Sequence, residues 1–228
     1  VSHVSAMEAA IQDRRKRGQT EVRVSHLTGH PWFGKWQAHS LGVGGSVARR
    51  YEVHIRSLQD RINFCTCPDR ANNQLGTCKH IEAALHQIGK NPKLAGKDLS
   101  PPVPFVYLAW EGEETVRLQR TPSVPADLAE VLDQFFDPRG RIKGQLPEAF
   151  FQFENAVYAD DRIEVGIDAR QGVERLATKQ AQQLRAQQIR QRISAMDGRL
   201  PGLKAQLYPY QVEGVAFLAA NGRALLAD

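Results

Sequence analysis

The sequence predicts an α+β fold. Three observations support this class: short β-prone segments lie before a compact cluster of cysteines, segments with helical apolar spacing follow it, and strands and helices do not alternate regularly. With 228 residues, of which 42% are hydrophobic, the chain is long enough for one or two domains with an ordinary core. We expect three regions, at residues 1–99, 100–200 and 201–228.

The first elements are a helix over residues 5–17 and a strand over residues 21–24. Met7, Ala10 and Ile11 give the helix a narrow apolar stripe. The helix also carries the densest basic cluster of the chain, Arg14, Arg15, Lys16 and Arg17. Such a cluster is either a solvated helix face or a contact to nucleic-acid phosphates, and both interpretations stay open.

An aromatic segment follows at residues 32–39, where Trp32, Phe33 and Trp36 lie beside Lys35. Aromatic rings next to a cation are able to stack on the bases of single-stranded nucleic acid. Aromatics of this kind more often close a small hydrophobic core, and we favour that interpretation here.

All three cysteines of the chain lie within fourteen residues, and a histidine follows directly as the fourth member of the cluster: Cys65, Cys67, Cys78 and His80. Thiolates and imidazole are the preferred ligands of tetrahedral zinc, and structural zinc sites use four of them. In extended backbone, side chains at i and i+2 point to the same side. The pair Cys65 and Cys67 and the pair Cys78 and His80 are therefore able to bind a single shared ion, each pair from one end of the loop. Residues 68–77 between the pairs contain Pro, Asn-Asn and Gly and predict turns.

Other interpretations of the cluster are weaker. Three cysteines leave one unpaired in any disulfide framework, and Cys65 and Cys67 are too close to bridge without strain. Three unconnected buried thiols would not be confined to one short stretch. His86 is the nearest competitor for the fourth ligand, but it lies beyond the start of a predicted helix, so we favour His80.

The pattern Cys-x-Cys, loop, Cys-x-His resembles the SWIM zinc finger family, and the flanks agree with it. Residues 48–56 and 61–64 read as two short strands, and residues 81–88 repeat apolar side chains at helical spacing. The resemblance covers residues 45–90 and implies a strand-strand-zinc-helix unit with a structural zinc ion. Fingers of this type are associated with both DNA and protein partners.

A proline-rich segment at residues 100–104 marks the expected end of the zinc module. Beyond it, residues 105–110 and 115–119 predict a hairpin with a four-residue loop. Residues 126–136 predict a helix with Pro125 near its first turn, whereas residues 146–153 are ambiguous in type.

The longest predicted helix begins near Asp168, which could form a capping box with Gln171. Its predicted apolar side contains Val173, Leu176, Ala177, Leu184, Ile193 and Met196. Its opposite side is basic and contains Arg175, Lys179, Arg185, Arg190 and Arg192. The basic side fits phosphate contacts, with Arg185, Arg190 and Arg192 as candidates, but it fits simple solvation equally well.

The last residues carry a second resemblance. Residues 207–218, followed by 222–228, resemble the opening of Snf-type helicase-like ATPases. In that family an aromatic-glutamine pair reads adenine, and it falls here on Tyr210 and Gln211. An aromatic ring is able to pack on a purine, while a side-chain amide makes paired hydrogen bonds to the edge of the purine. The resemblance implies that ATP and magnesium serve a longer parent protein in which a phosphate loop follows residue 228.

These observations predict a chain that is not itself an enzyme, because it holds no Gly-Lys-Ser/Thr phosphate loop and four protein ligands leave zinc no open position. The expected function is a regulatory or nucleic-acid-binding region of a DNA translocase, with DNA the favoured partner. The alternative is a protein-interaction module. A formal net charge of +5 suits a polyanion. With no long apolar stretch or signal-like segment, we expect an intracellular location, including nucleoid or nuclear association, and no membrane partner.

Overall fold

The computed structural model describes residues 3–28, 30, 32–41, 48–73, 75–91, 99–110, 112–200, 202 and 204–222. Within these residues the fold is α+β, as predicted, with seven helices and two sheets. The helices are α1 (His3–Glu21), α2 (Pro68–Asn72), α3 (Lys79–Gly89), α4 (Ala126–Phe135), α5 (Glu148–Ala156), α6 (Ile167–Ala195) and α7 (Pro209–Asn221). The strands are β1 (Val22–Thr28), β2 (Gly34–Ser40), β3 (Arg49–Ile55), β4 (Phe64–Cys65), β5 (Phe105–Trp110), β6 (Glu114–Gln119) and β7 (Glu164–Val165).

The first sheet is antiparallel in the order β1-β2-β3-β4. Side chains alternate between its two faces, and α3 covers the face that carries Trp36 and Val53, to which it contributes Ile81 and Ala84. Helix α1 packs against α3 at Gly18, where a Cβ atom would lie 2.6 Å from the carbonyl oxygen of Lys79. The close approach of the two helices therefore requires glycine at this position.

Two sequence predictions for this unit are refined by the structure. Phe33 and Trp36 are buried in the core and Trp32 packs against it, so the aromatic segment is core. Helix α1 extends beyond the predicted end at residue 17, because Arg17 makes ion pairs with Asp13 and Glu21, each four residues away.

The second sheet combines a hairpin with a short parallel strand in the order β6-β5-β7. The hairpin was predicted, although Glu114 pairs with Trp110 and belongs to β6 rather than to the loop. The ambiguous segment at 146–153 forms most of α5. Phe150 and Phe153 of α5 pack with Leu132 of α4 in the core of this unit. Strand β7 was not predicted, because two residues carry no readable periodicity.

Helix α6 begins where the sequence placed it, but two details of the prediction are wrong. Gly166 is the N-cap residue, and the Asp168 carboxylate is used elsewhere, so no capping box with Gln171 forms. Val173 and Ile193 are buried as predicted, whereas Leu184 is 56% exposed. The second half of α6 packs on α7 through Ala186 and Ala216 instead.

A buried ion pair joins the two sheet-bearing units. The Arg56 guanidinium donates to both carboxylate oxygens of Asp168, at 2.9 and 2.7 Å, and it lies over the rings of Phe64 and Phe105. Beside it, the ring of His54 contacts Glu164 of β7. Arg56 is 3% exposed and Asp168 is 8% exposed, so the pair is shielded from water.

No helix in the described ranges combines the length and the apolar character needed to cross a bilayer.

Candidate metal centre

Cys65, Cys67, Cys78 and His80 converge on one buried point. One ligand atom from each lies within 4.8 Å of the other three, and each side chain is at most 3% exposed. In the part of the chain that the structure describes, no other group of three or more acidic, cysteine or histidine side chains meets this geometry. The predicted ligand set is therefore brought together, and it is positioned to hold a metal ion.

The four side chains lie at the ends of regular elements, Cys65 and Cys67 near β4 and α2, and Cys78 and His80 at the start of α3. Cys65 ends β4, where it pairs with Val53 of β3, and Cys67 is the N-cap residue of α2. Cys78 is the N-cap residue of α3, and His80 is in the first turn of the same helix. Each pair is anchored by regular structure, which fixes the directions of its side chains.

The distances fit a tetrahedral ion. Sγ of Cys78 lies 3.8 Å from Nδ1 of His80. Metal–sulfur and metal–nitrogen bonds of about 2.3 and 2.0 Å in a tetrahedron place the two ligand atoms roughly 3.5 Å apart. The Tyr51 ring packs on His80 with ring centroids 4.6 Å apart and holds the imidazole in place.

Burial and mutual hydrogen bonds shift the pKa values of the three thiols in different directions. A hydrogen bond from Cys65 lowers the pKa of Cys67, and the same bond raises the pKa of Cys65. Burial raises the pKa of Cys78 to about 12. A bound dication would compensate the charge of the thiolates, the form in which cysteine binds a metal.

The connection between the two pairs is more ordered than the sequence predicted. Residues 68–72 form helix α2 rather than a turn, because Cys67 Sγ accepts from the Arg70 amide at 3.4 Å and Pro68 begins the helix. Asp69 then accepts two hydrogen bonds from Arg14 of α1. The loop is tied to the rest of its unit at this point.

The remaining part of the connection is held by residues that sequence reasoning did not single out. Asn73 donates to the Thr77 carbonyl at 2.9 Å, and the Thr77 hydroxyl donates to Glu82 at 2.6 Å. Gly76 has a φ of +72°, and a Cβ atom there would lie 2.9 Å from Arg61 Cβ. A turn at Gly76 could be predicted from the Pro, Asn and Gly content of residues 68–77. The hydrogen bonds of Asn73 and Thr77 could not be predicted from the sequence.

His86, the competing ligand, lies in the last turn of α3 and outside the group. The three cysteine thiols are free of disulfide bonds.

Most basic candidates for phosphate contact lie beside acidic side chains. Arg14 pairs with Asp69 at 2.7 Å, Arg15 with Glu82 at 3.1 Å, and Arg17 with Glu21 at 3.1 Å. On α6, Arg190 pairs with Glu213 at 2.8 Å. Lys16, Arg185 and Arg192 are exposed.

Tyr210 and Gln211, the candidate adenine contacts, lie in the first turn of α7. Tyr210 is 71% exposed, and its ring stacks on that of Tyr208 with centroids 6.0 Å apart. The side-chain carbonyl of Gln211 accepts from the Tyr208 amide at 2.9 Å and caps the helix. Residues 223–228, which complete the Snf-type resemblance, lie outside the described residues.

Comparison with protein families, with curated proteins and with solved structures finds no match for this chain.

Proposed function

We propose that this chain is a zinc-stabilised binding module that engages DNA on behalf of a Snf-type motor. The observation that carries the proposal is the closed set of four buried ligands, Cys65, Cys67, Cys78 and His80. Three sulfurs and one imidazole select zinc over hard cations such as magnesium, which prefer oxygen ligands.

The proposed role of the ion is structural. With four protein ligands, no position remains for the water molecule that a catalytic zinc activates. The ion would join the end of β4 to the start of α3 and so stabilise the first core. In the proposal the chain is therefore the binding region of a longer motor protein and not an enzyme by itself.

DNA engagement is supported by the net charge of +5 and by the two family resemblances. The test is binding of the zinc-loaded chain to a short labelled DNA duplex over a salt series, before and after treatment with a chelator. We expect stoichiometric zinc, affinity that falls steeply with salt, and loss of affinity when zinc is removed. Absence of zinc from freshly purified protein would contradict the first half of the proposal, and salt-independent binding would contradict the second.

A protein-interaction module is the second candidate. Tyr208, Tyr210, Phe217 and Leu218 are exposed on or beside α7, and exposed apolar side chains of this size often mark a protein contact. In that case the zinc-loaded chain would show no DNA affinity at moderate salt and would associate with the motor domain itself.

A further inference from the structure

The face of the first sheet that lies away from α3 is buried at His54, but it carries exposed basic side chains near the starts of β1 and β3. These were not singled out from the sequence. Arg23 of β1 lies opposite His39 of β2, and His39 lies opposite Arg50 of β3. The three side chains form one row across three strands, which we call the cross-strand basic row. Neighbouring strands are about 4.8 Å apart, so the row spans roughly 10 Å.

The row lies on the side of the sheet opposite to the core. Residues next to it in sequence, Val22 and Ala38, point into the core, so alternation places the row on the other face. Arg23 and Arg50 are exposed and His39 is half-buried. The side chains are therefore accessible to a large ligand.

The basic row has no acidic partner among the residues that the structure describes. The arginines of α1 differ, since Arg14, Arg15 and Arg17 all make ion pairs. Glu52, the acid on the same face, instead contacts His54 at 2.6 Å. The Arg23 and Arg50 guanidinium groups are therefore charges that a bound anion would compensate.

The surroundings of the row favour an extended phosphate backbone over a small anion. Backbone amides of a sheet lie in its plane and point along it towards neighbouring strands, so none converges above the row to enclose a single phosphate. Arginine guanidinium groups match phosphate oxygens in a bidentate arrangement. The next row is Ser25, Gln37 and Glu52. Ser25 and Gln37 are neutral donors of a type that commonly contacts phosphate, and the acid of this row, Glu52, contacts His54.

We propose that the cross-strand basic row, Arg23–His39–Arg50, is the surface on which the phosphate backbone of a DNA duplex lies. This inference rests on the proposed DNA engagement and assigns its location. It places the contact on the sheet, and not on the basic sides of α1 or α6.

The test compares variants of the whole zinc-loaded chain for binding to a short labelled DNA duplex. Arg23→Gln with Arg50→Gln removes two exposed charges from the row. We expect affinity at low salt to fall about tenfold and the slope of log affinity against log salt to fall by about 1.8, since each phosphate contact contributes about 0.9. Zinc content and circular dichroism should stay at wild-type values, because both side chains are exposed.

Two matched pairs serve as comparisons. Arg120→Gln with Arg162→Gln removes the same charge from the second unit, where Asp133 and Asp127 pair with the two arginines, and should leave the slope unchanged. Arg185→Gln with Arg192→Gln tests the exposed side of α6. The inference is overturned if the α6 pair lowers the slope and the sheet pair does not, or if all three pairs act equally.

Two further outcomes separate this inference from the proposed function. If wild-type protein does not bind DNA at all, the proposed function fails, and the assignment of this surface fails with it. If wild-type protein binds DNA and the sheet variant binds equally well, the proposed function stands and only this inference fails. Equal competition by an acidic polypeptide such as polyglutamate would show that the row reads charge alone and would overturn the assignment to phosphate.

Discussion

At the scale of single residues, the candidate metal centre consists of four side chains with unequal surroundings. Cys78 and His80 both start from α3, and Cys78 is completely buried. Cys65 and Cys67 come from a strand end and a helix start on the other side. Removal of any one of these four side chains leaves only three buried ligands for the ion.

We expect Cys78→Ser or His80→Ala to lose stoichiometric zinc. Binding of structural zinc contributes on the order of 10 kcal/mol to such modules, so the first core should unfold while the second core stays folded. Elemental analysis gives the zinc content, and hydrogen exchange resolved along the chain separates the two cores.

The control for these variants is His86→Ala, which removes a histidine of the same helix outside the ligand group. It should keep full zinc content. Unchanged zinc content in Cys78→Ser or His80→Ala would contradict the ligand assignment.

The four ligands could be predicted from sequence because their signal is local: all lie within sixteen positions, and no other cysteines compete. The supporting residues could not. Thr77 and Glu82 are ordinary polar residues, and only the fold shows that their side chains bond at 2.6 Å. The cross-strand basic row was also missed, because its members are brought together by strand register and not by sequence spacing.

At the scale of elements, the contact between α1 and α3 is set by a glycine. A Cβ atom added at Gly18 would lie 2.6 Å from the Lys79 carbonyl oxygen and 3.0 Å from the Ala83 amide nitrogen. Both are backbone atoms of α3, so neither can rotate away.

We therefore expect Gly18→Ala to destabilise the first unit by about 1–3 kcal/mol, since overpacking outweighs the gain of about 1 kcal/mol in helix propensity. Gly214→Ala in α7 is the matched control, because a Cβ atom there meets nothing within 4 Å. It should stabilise α7 by roughly 0.5–1 kcal/mol. Denaturant unfolding measures both changes, and stabilisation by Gly18→Ala would show that the helices are not packed this closely.

Element prediction worked where periodicity was long and failed where it was short. Helices α1 and α6 and the hairpin β5–β6 were read from their spacing. Strand β7 and helix α2 have two and five residues, too few for a period to appear. The exposure of Leu184 has a different cause: the partner of that helix half is α7, which presents only a narrow alanine-lined contact.

At the scale of the whole molecule, the two units are joined by the Arg56–Asp168 pair. Burial raises the pKa of Asp168, but the charge and hydrogen bonds of Arg56 outweigh burial and keep the pKa below its ordinary value of 3.8. A lowered folded-state pKa stabilises the fold above the unfolded-state pKa of about 3.9, and this stabilisation is lost as pH falls through the folded pKa.

We expect Asp168→Asn to cost about 3–5 kcal/mol at neutral pH, because it leaves the Arg56 charge buried without a partner. The double variant Arg56→Met with Asp168→Leu should recover most of that loss, since an apolar pair needs no compensation. As the pH falls below about 4, the wild type should lose stability more steeply than the double variant.

Unfolding by guanidinium at a series of pH values measures this difference. Loss of a bound metal ion at low pH would affect the wild type and the double variant alike, so the difference between their stabilities isolates the ion pair. Equal acid sensitivity in the two proteins would contradict a role for Asp168 in the pH dependence.

The sequence by itself determined the fold class, the long helices and the four residues positioned to hold a metal ion, because composition, periodicity and ligand spacing are local properties. Only the tertiary structure decided how the parts meet. Arg56 and Asp168 are 112 positions apart, and the basic row exists only through the register of β1, β2 and β3. Contacts of this kind depend on which surfaces pack together, and no local pattern in the chain encodes them.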